Sequence, residues 1–243
     1  MNHSEEVWGQ GYGYGYTIVK GLFSHEHLGA ARKAIIDYMA ANVLPENASG
    51  KFLPDFIGVN ALAAVTALKD DPHLLEVLTE IFGTDSYRFC GHCDIGINRV
   101  VSGWHKDILN GAYLSYQKVS PWATGPAGET YKIVKVGIYL QDHSDDNNAL
   151  QVVSGSHLEE RVCISGALRL KPAFGDCIIF DQRITHRGME REIKAMDPRI
   201  MVTFGFGADN FFTDSFEAGT RARQDEQLRA FRAATESQRP KTI

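Results

Sequence analysis

Hydrophobic positions recur at helical spacing twice in the first third of the chain. Leu28, Ala31, Ile35, Tyr38 and Met39 make one apolar face over about residues 25–41, and Ser24 stands where an N-cap is needed. Leu74, Leu75, Leu78, Ile81 and Phe82 make a second stripe. Asp71 can cap that helix, Pro72 suits its first turn and Gly83 stops it. Residues 43–70 lie between the two and are broken by Pro45, Gly50, Pro54 and Gly58, so no long element is expected there. Tyr16 to Phe23 reads as a short strand and turn.

After Gly83 the period changes. Residues 86–107, 131–142, 149–153, 161–170, 175–181 and 199–206 are short β-like runs separated by Gly, Asn, Asp and Ser. Many short strands with turn signals predict a sandwich or barrel. From about Asp214 the chain is polar, with Leu228 and Phe231 at helical spacing, which predicts a C-terminal helix. No internal repeat and no linker divides the sequence. The expectation is one domain over 1–243: a helical part over about 1–84, a barrel over about 85–206 and a helical tail over 207–243.

Composition narrows the classes. Apolar residues at 44% and charged residues at 23% of 243 are those of a soluble globular protein. A net charge of −5 argues against generic nucleic-acid binding and offers no basic stripe to a membrane surface. No run approaches the ~18 apolar residues of a membrane span. The first residues, Met1 to Glu6, show neither a basic start nor an apolar run, so no signal peptide is expected. Four cysteines in a chain this long make no disulfide scaffold, and reduced thiols in a cytoplasm are expected.

The candidate chemistry centres on Ser102-Gly103-Trp104-His105-Lys106-Asp107-Ile108. Side chains at i and i+2 of an extended segment share a face, roughly 6.5 Å apart at about 3.3 Å rise per residue. An imidazole and a carboxylate so placed can converge on one metal ion. A second His would complete a 2-His-1-carboxylate face, the pattern of non-haem Fe(II) oxygenases. His-x-Asp also occurs at His92-Cys93-Asp94 and His143-Ser144-Asp145, so context must choose. The first lies in a β-like run, where His92 is expected to pack or hydrogen-bond in the sheet. The second opens a run of turn formers.

Other motifs read as structural. Gly9 to Gly15 has no strand before it and no helix directly after, so it fails the context of a phosphate loop. Cys90-Gly91-His92-Cys93 precedes a strand-like run, whereas a redox pair needs a helix N-terminus; Cys163 and Cys177 are isolated, so no zinc set forms. His186-Arg187-Gly188 follows the buried run ending at Asp181. Arg199 opens an apolar strand, either in solvent or pointing inward with Met201 and Thr203 as a fork for a carboxylate.

Taken in order, these residues resemble the phytanoyl-CoA dioxygenase family of Fe(II)/2-oxoglutarate oxygenases. The resemblance rests on Gly103 to Asp107, Tyr139 to His143 through Gln151 to His157, Gly175-Asp176 through Phe180-Asp181-Gln182, His186-Arg187-Gly188, and Arg199. It runs from about residue 12 to 206. It implies a mainly β fold, a double-stranded β-helix or jelly-roll barrel, with flanking helices. It also implies that His105, Asp107 and His186 hold Fe(II), that Arg199 grips the distal carboxylate of 2-oxoglutarate, and that O₂ is consumed. The family's arginine usually stands nearer the second His, which keeps Arg191 as a rival. Ala149 and Ser154 depart from the family's Gly and Pro in turns. Gly188 stands where a Ser or Thr often helps bind the co-substrate, and Lys132 or Lys135 is a candidate to do so. Halide-transferring relatives have Gly or Ala in the position of Asp107, so its carboxylate implies hydroxylation or a variant such as demethylation or desaturation.

Residues 109–130 read as a long loop bearing Tyr113, Tyr116 and Trp122. With Asn210, Phe211 and Phe212 it is expected to cover a small organic substrate, such as a secondary metabolite. Such a small molecule is the expected partner, and no residue pattern specifies an oligomer. Two other classes remain: a metal-binding cupin-like protein or iron oxidase that uses no 2-oxoglutarate, and a thiol oxidoreductase at Cys90 and Cys93. A fixed cation at Arg199 separates the first, and a reactive thiol would mark the second.

Overall fold

A computed structural model describes residues 2–9, 13–44, 46–47, 50–99, 101, 103–145, 149–188 and 198–237. Ten strands are present among the described residues: β1 (Tyr16–Val19), β2 (Glu46–Asn47), β3 (Gly50–Pro54), β4 (Tyr87–Ile97), β5 (Ile133–Tyr139), β6 (Leu150–Val153), β7 (Ala167–Arg169), β8 (Cys177–Asp181), β9 (His186–Gly188) and β10 (Ile200–Ala208). Six α-helices accompany them: α1 (His3–Trp8), α2 (His25–Ala41), α3 (Ala63–Thr66), α4 (Pro72–Phe82), α5 (Gly111–Tyr116) and α6 (Phe211–Ser237).

Seven strands form one sheet in the order β1-β8-β5-β10-β4-β3-β2, and three form a second in the order β7-β6-β9. All recorded pairings are antiparallel. The mainly β architecture with flanking helices is the expected one, but among the described residues the pairings close no barrel. The first 84 residues are also not purely helical, because they give β1, β2 and β3 to the large sheet.

Strand alternation sorts the large sheet into two faces. One face, with Cys93, Ile95, Val134, Val136, Val202 and Phe204, is buried in a core with Leu28, Ala31 and Ile35 of α2 and Leu74, Leu78 and Ile81 of α4. Both helices start where their caps dictate: Ser24 accepts from the His27 amide at 3.1 Å and Asp71 from the His73 amide at 2.9 Å. Gly83 ends α4 with φ +69°, a left-handed conformation that costs glycine little. The other face turns toward the three-stranded sheet, where Tyr139, Leu150, Val152, Ile178, Phe180 and Ile184 pack between the layers.

Three expectations are corrected. The 109–130 segment is not a structureless loop, since it contains α5. The C-terminal helix begins at Phe211 rather than Asp214, because the Asn210 side chain accepts from the Phe212 and Thr213 amides at 3.0 and 3.3 Å and so caps it. The 161–170 run yields only the three residues of β7. Among the described residues, no helix is long and apolar enough to cross a membrane.

Candidate metal and co-substrate site

Between the sheets lies a cavity of about 540 Å³. Alternate residues of three neighbouring strands face it: His92, Asp94 and Gly96 from β4, Met201 and Thr203 from β10, and Lys135 and Tyr139 from β5. Arg199, just before β10, lines it too.

His105, Asp107 and His186 meet at its base, each offering a ligand atom within 4.8 Å of the others. His105 Nε2 lies 3.6 Å from Asp107 Oδ1, and His186 Nε2 lies 3.7 Å from Asp107 Oδ2. The sequence places His186 far from the other two, and one backbone bridge joins it to His105. The His105 amide donates to the His186 carbonyl at 3.0 Å and the His186 amide to the His105 carbonyl at 2.9 Å. The imidazole centroids are 4.3 Å apart. His105 belongs to no strand, and Asp107 opens a 3₁₀ turn over Asp107–Leu109. Only Lys106 between them is extended, with φ −117° and ψ 128°, which is enough to turn both side chains to one side.

The imidazoles are oriented for ligation. His105 Nδ1 is 2.8 Å from the Gly103 carbonyl and His186 Nδ1 is 3.1 Å from the Ile184 carbonyl. A carbonyl only accepts, so each Nδ1 carries its proton and each Nε2 presents a lone pair to the cluster, as ligating histidines require. Burial holds the His186 pKa down to about 3, so the ring is neutral. Burial also opposes charge on His105, but the hydrogen bond and charge of Asp107 outweigh it and raise its pKa. Asp107 is half-buried, which opposes its charge, yet Lys135 and the two imidazoles keep its pKa well below the usual carboxylate range. Lys135 Nζ donates directly to Asp107 Oδ2. Two imidazoles that present Nε2 and an ionised carboxylate are a donor set that suits a divalent first-row metal.

Lys106 fixes the segment that carries two of these groups. It is fully buried, and its Nζ donates to the carbonyls of Ser156 at 2.6 Å and Arg183 at 2.5 Å. Burial pushes its pKa down to about 8.

Arg199 is 3% exposed. Its Nη1 donates to the Arg99 carbonyl at 2.7 Å, its Nη2 to the Tyr139 hydroxyl at 3.3 Å, and its guanidinium lies over the Tyr139 ring at 5.1 Å. Its Nε is buried without a partner, and no acidic side chain pairs with it among the described residues. The rival Arg191 lies outside the described residues.

The remaining predicted residues divide. Lys135, Thr203 and Tyr113 line the cavity. Lys132 does not; its ammonium sits 6.0 Å from the centroid of Trp8. Tyr116 is 46% exposed, and Trp122 is tied to the His157 carbonyl at 2.8 Å. Asn210 is spent on capping α6, and neither it nor Phe211 lines the cavity. Four lining groups escaped the sequence reading. They are His92, Asp94, Arg99 and Arg223. Arg223 of α6 donates to both Asp94 oxygens at 2.9 and 3.0 Å, and His92 shares hydrogen bonds with the Tyr113 hydroxyl at 2.9 Å and Thr203 Oγ1 at 3.3 Å. The His92-Cys93-Asp94 repeat of the metal motif was the one available signal.

Residues 12–191 match the family model of Phytanoyl-CoA dioxygenase (PhyH). Solved structures are similar in fold. The non-heme alpha ketoglutarate dependent epimerase SnoN from nogalamycin biosynthesis gives a TM-score of 0.58 at 17% identity, over 79% of this chain and 77% of SnoN. HygX from Streptomyces hygroscopicus, with nickel and 2-oxoglutarate bound, gives a TM-score of 0.58 at 16% identity, over 82% of this chain and 84% of HygX. A further HygX structure also holds hygromycin B, with the same coverage and TM-score at 17% identity. No curated protein sequence matches the chain.

Two outcomes are expected. Lys106→Met takes the ammonium donor from the Arg183 carbonyl and from the Ser156 carbonyl, which keeps only the Glu159 amide, and should lower stability by about 1–3 kcal/mol in urea denaturation, with weaker Ni(II) binding by titration calorimetry. Unchanged stability and affinity would remove Lys106 from this role. Burial raises the pKa of Cys90 and Cys93 to about 12, so at pH 7 on the order of one thiol in 10⁵ is ionised. Iodoacetamide at pH 7 should label partly exposed Cys163 and spare Cys90 and Cys93, read by peptide mass spectrometry. Fast labelling of either would restore the thiol oxidoreductase.

Proposed function

This chain belongs to the phytanoyl-CoA dioxygenase family, and on that premise we propose that it hydroxylates a small organic molecule, or demethylates or desaturates it, at iron held by His105, Asp107 and His186. The family is one of Fe(II)- and 2-oxoglutarate-dependent oxygenases that consume O₂, and the chain is an oxidoreductase of that kind. One observation carries the residue assignment: a single cavity contains three convergent ligand atoms and a buried arginine with no acidic partner.

Each residue has a distinct task in this reading. The two Nε2 lone pairs and the Asp107 carboxylate bind the metal, and Lys135 keeps Asp107 ionised and in place. The Arg199 fork takes the distal carboxylate of 2-oxoglutarate, with Tyr139 bracing the guanidinium. Iron with 2-oxoglutarate and O₂ supplies the oxidising chemistry, in which 2-oxoglutarate becomes succinate and CO₂ and one oxygen atom is available to the substrate. Asp107 occupies the ligand position that halide-transferring relatives leave open, which favours transfer of hydroxyl. The rest of the cavity, beside His92, Tyr113 and α6, holds the substrate. Hygromycin B in HygX and nogalamycin biosynthesis for SnoN support a secondary metabolite as its class.

The test is anaerobic. Metal-free protein given Fe(II) and 2-oxoglutarate should develop a weak visible charge-transfer band that neither gives alone. Asp107→Ala should abolish it together with succinate release. Arg199→Ala should keep iron but weaken 2-oxoglutarate about tenfold to hundredfold, the equivalent of roughly 1.5–3 kcal/mol for a charged hydrogen bond. Iron binding without the band in the wild type would leave a cupin-like metal protein. An unchanged affinity in Arg199→Ala would move the co-substrate role to another cation.

A further inference from the structure

The cavity has more basic than acidic side chains in its interior. Arg99, Lys135, Arg199 and Arg223 line it, against the carboxylates of Asp94 and Asp107; Glu226 sits at the exposed rim. Lys135 pairs with Asp107 and Arg223 with Asp94. Two arginines are left. An Fe(II) ion and a 2-oxoglutarate dianion cancel one another's charge, so filling the metal and co-substrate sites removes none of this excess.

The two arginines serve different ends of the cavity. Arg199 leans on Tyr139 of β5, whereas Arg99 lies over Phe52 of β3, with its guanidinium 4.5 Å from the ring centroid. In the sheet, β5 and β3 flank the β10–β4 pair on opposite sides. The charges that act on Arg99 come from Asp94, Arg223 and Asp107. Its Nε is buried without a partner, and its side chain makes no hydrogen bond among the described residues. Asp94 acts on it through charge but makes no ion pair with it, because both Asp94 oxygens accept from Arg223. The alkyl stem lies along Gly96, where an added Cβ would stand 3.3 Å from Arg99 Cβ. A guanidinium held by an aromatic face and a flat glycine floor, with its donors free, is poised for a planar anion.

We propose that Arg99 anchors a carboxylate of the organic substrate, in the half of the cavity walled by Asp94 and the α6 residue Arg223. This rests on the reading that gives Arg199 to 2-oxoglutarate. With Arg223 already paired to Asp94 and Arg199 given to 2-oxoglutarate, Arg99 is the one guanidinium among the described residues of the cavity left for the substrate, so the substrate class is a monocarboxylate, or a polyfunctional molecule with one carboxylate at this end.

The test uses matched probes on full-length protein saturated with Ni(II) and 2-oxoglutarate, which fills the metal and Arg199 sites. Hexanoate and hexanamide, and cyclohexanecarboxylate and its amide, are titrated by saturation-transfer NMR. Each acid should bind the wild type about tenfold more tightly than its amide, as a charge-assisted hydrogen bond predicts. Arg99→Gln should erase that preference and Arg99→Lys should restore part of it. The Fe(II)/2-oxoglutarate band should form in Arg99→Gln at the wild-type concentration, which also shows that the variant is folded. An equal response to acid and amide in the wild type, including none to either, overturns the proposal. A preference that survives in Arg99→Gln does the same. Loss of the band in Arg99→Gln alone would make Arg99 a co-substrate residue and overturn it too. Failure of the wild type to bind 2-oxoglutarate would sink the functional reading instead, and the acid–amide comparison on the Ni(II) protein would still decide Arg99.

Discussion

The reciprocal backbone bridge between His105 and His186 is the constraint on which the site depends. Two hydrogen bonds set the separation of two imidazoles that a long stretch of sequence holds apart. Everything else adjusts around that distance. Asp107 follows within two residues, so it needs only one extended residue and the start of a turn to point into the same space. Lys106 then ties that short segment to Ser156 and Arg183, on the loops that follow β6 and β8. The ligand face is thus built where the small sheet meets a loop anchored by a buried ammonium. It is rigid because its bonds are backbone bonds or charge-assisted ones.

Charge is arranged before any ligand arrives. A buried carboxylate would ordinarily gain a proton, but Asp107 keeps its charge because Lys135 donates to it. A buried imidazole beside a carboxylate would ordinarily gain one, but burial wins at His186 and leaves a lone pair. Both outcomes favour ligation, and they come from opposite balances of the same two effects. In the outer half of the cavity the same economy appears as the Asp94–Arg223 pair, which joins β4 to α6 and walls the space.

Sequence periodicity carried the helices well where capping chemistry is local. Ser24, Asp71 and Gly83 act within a turn of themselves, and α2 begins, and α4 begins and ends, where these residues demand. The six-residue α1 was missed because its capping box, Asn2 with Glu5, is too short a signal without an apolar stripe. The three residues of β9 were likewise missed, since its pairing partner β6 lies far along the chain. The candidate metal face was legible because two of its residues are two positions apart in sequence and the third fitted a family order. Arg223 was not legible. Its meaning depends on Asp94, and nothing in the spacing of a polar helix announces a partner on a distant strand.

Residues 12–191, the family match, include the three ligand residues but stop short of Arg199, β10 and α6. The helix packs on α5 through Gly219, where an added Cβ would stand 3.1 Å from Tyr113 Cα, and through the Tyr113–Phe216 ring stack at 4.7 Å. Beyond that contact Arg223, Gln227 and Ala230 follow at helical spacing and face the cavity. The three candidate ligands therefore sit on the common scaffold, and the wall opposite them comes from an element outside the matched stretch. Function on a shared fold resides in such grafted surfaces. In the proposal for this chain, the face of α6, with Arg99 across from it, is where the substrate is chosen.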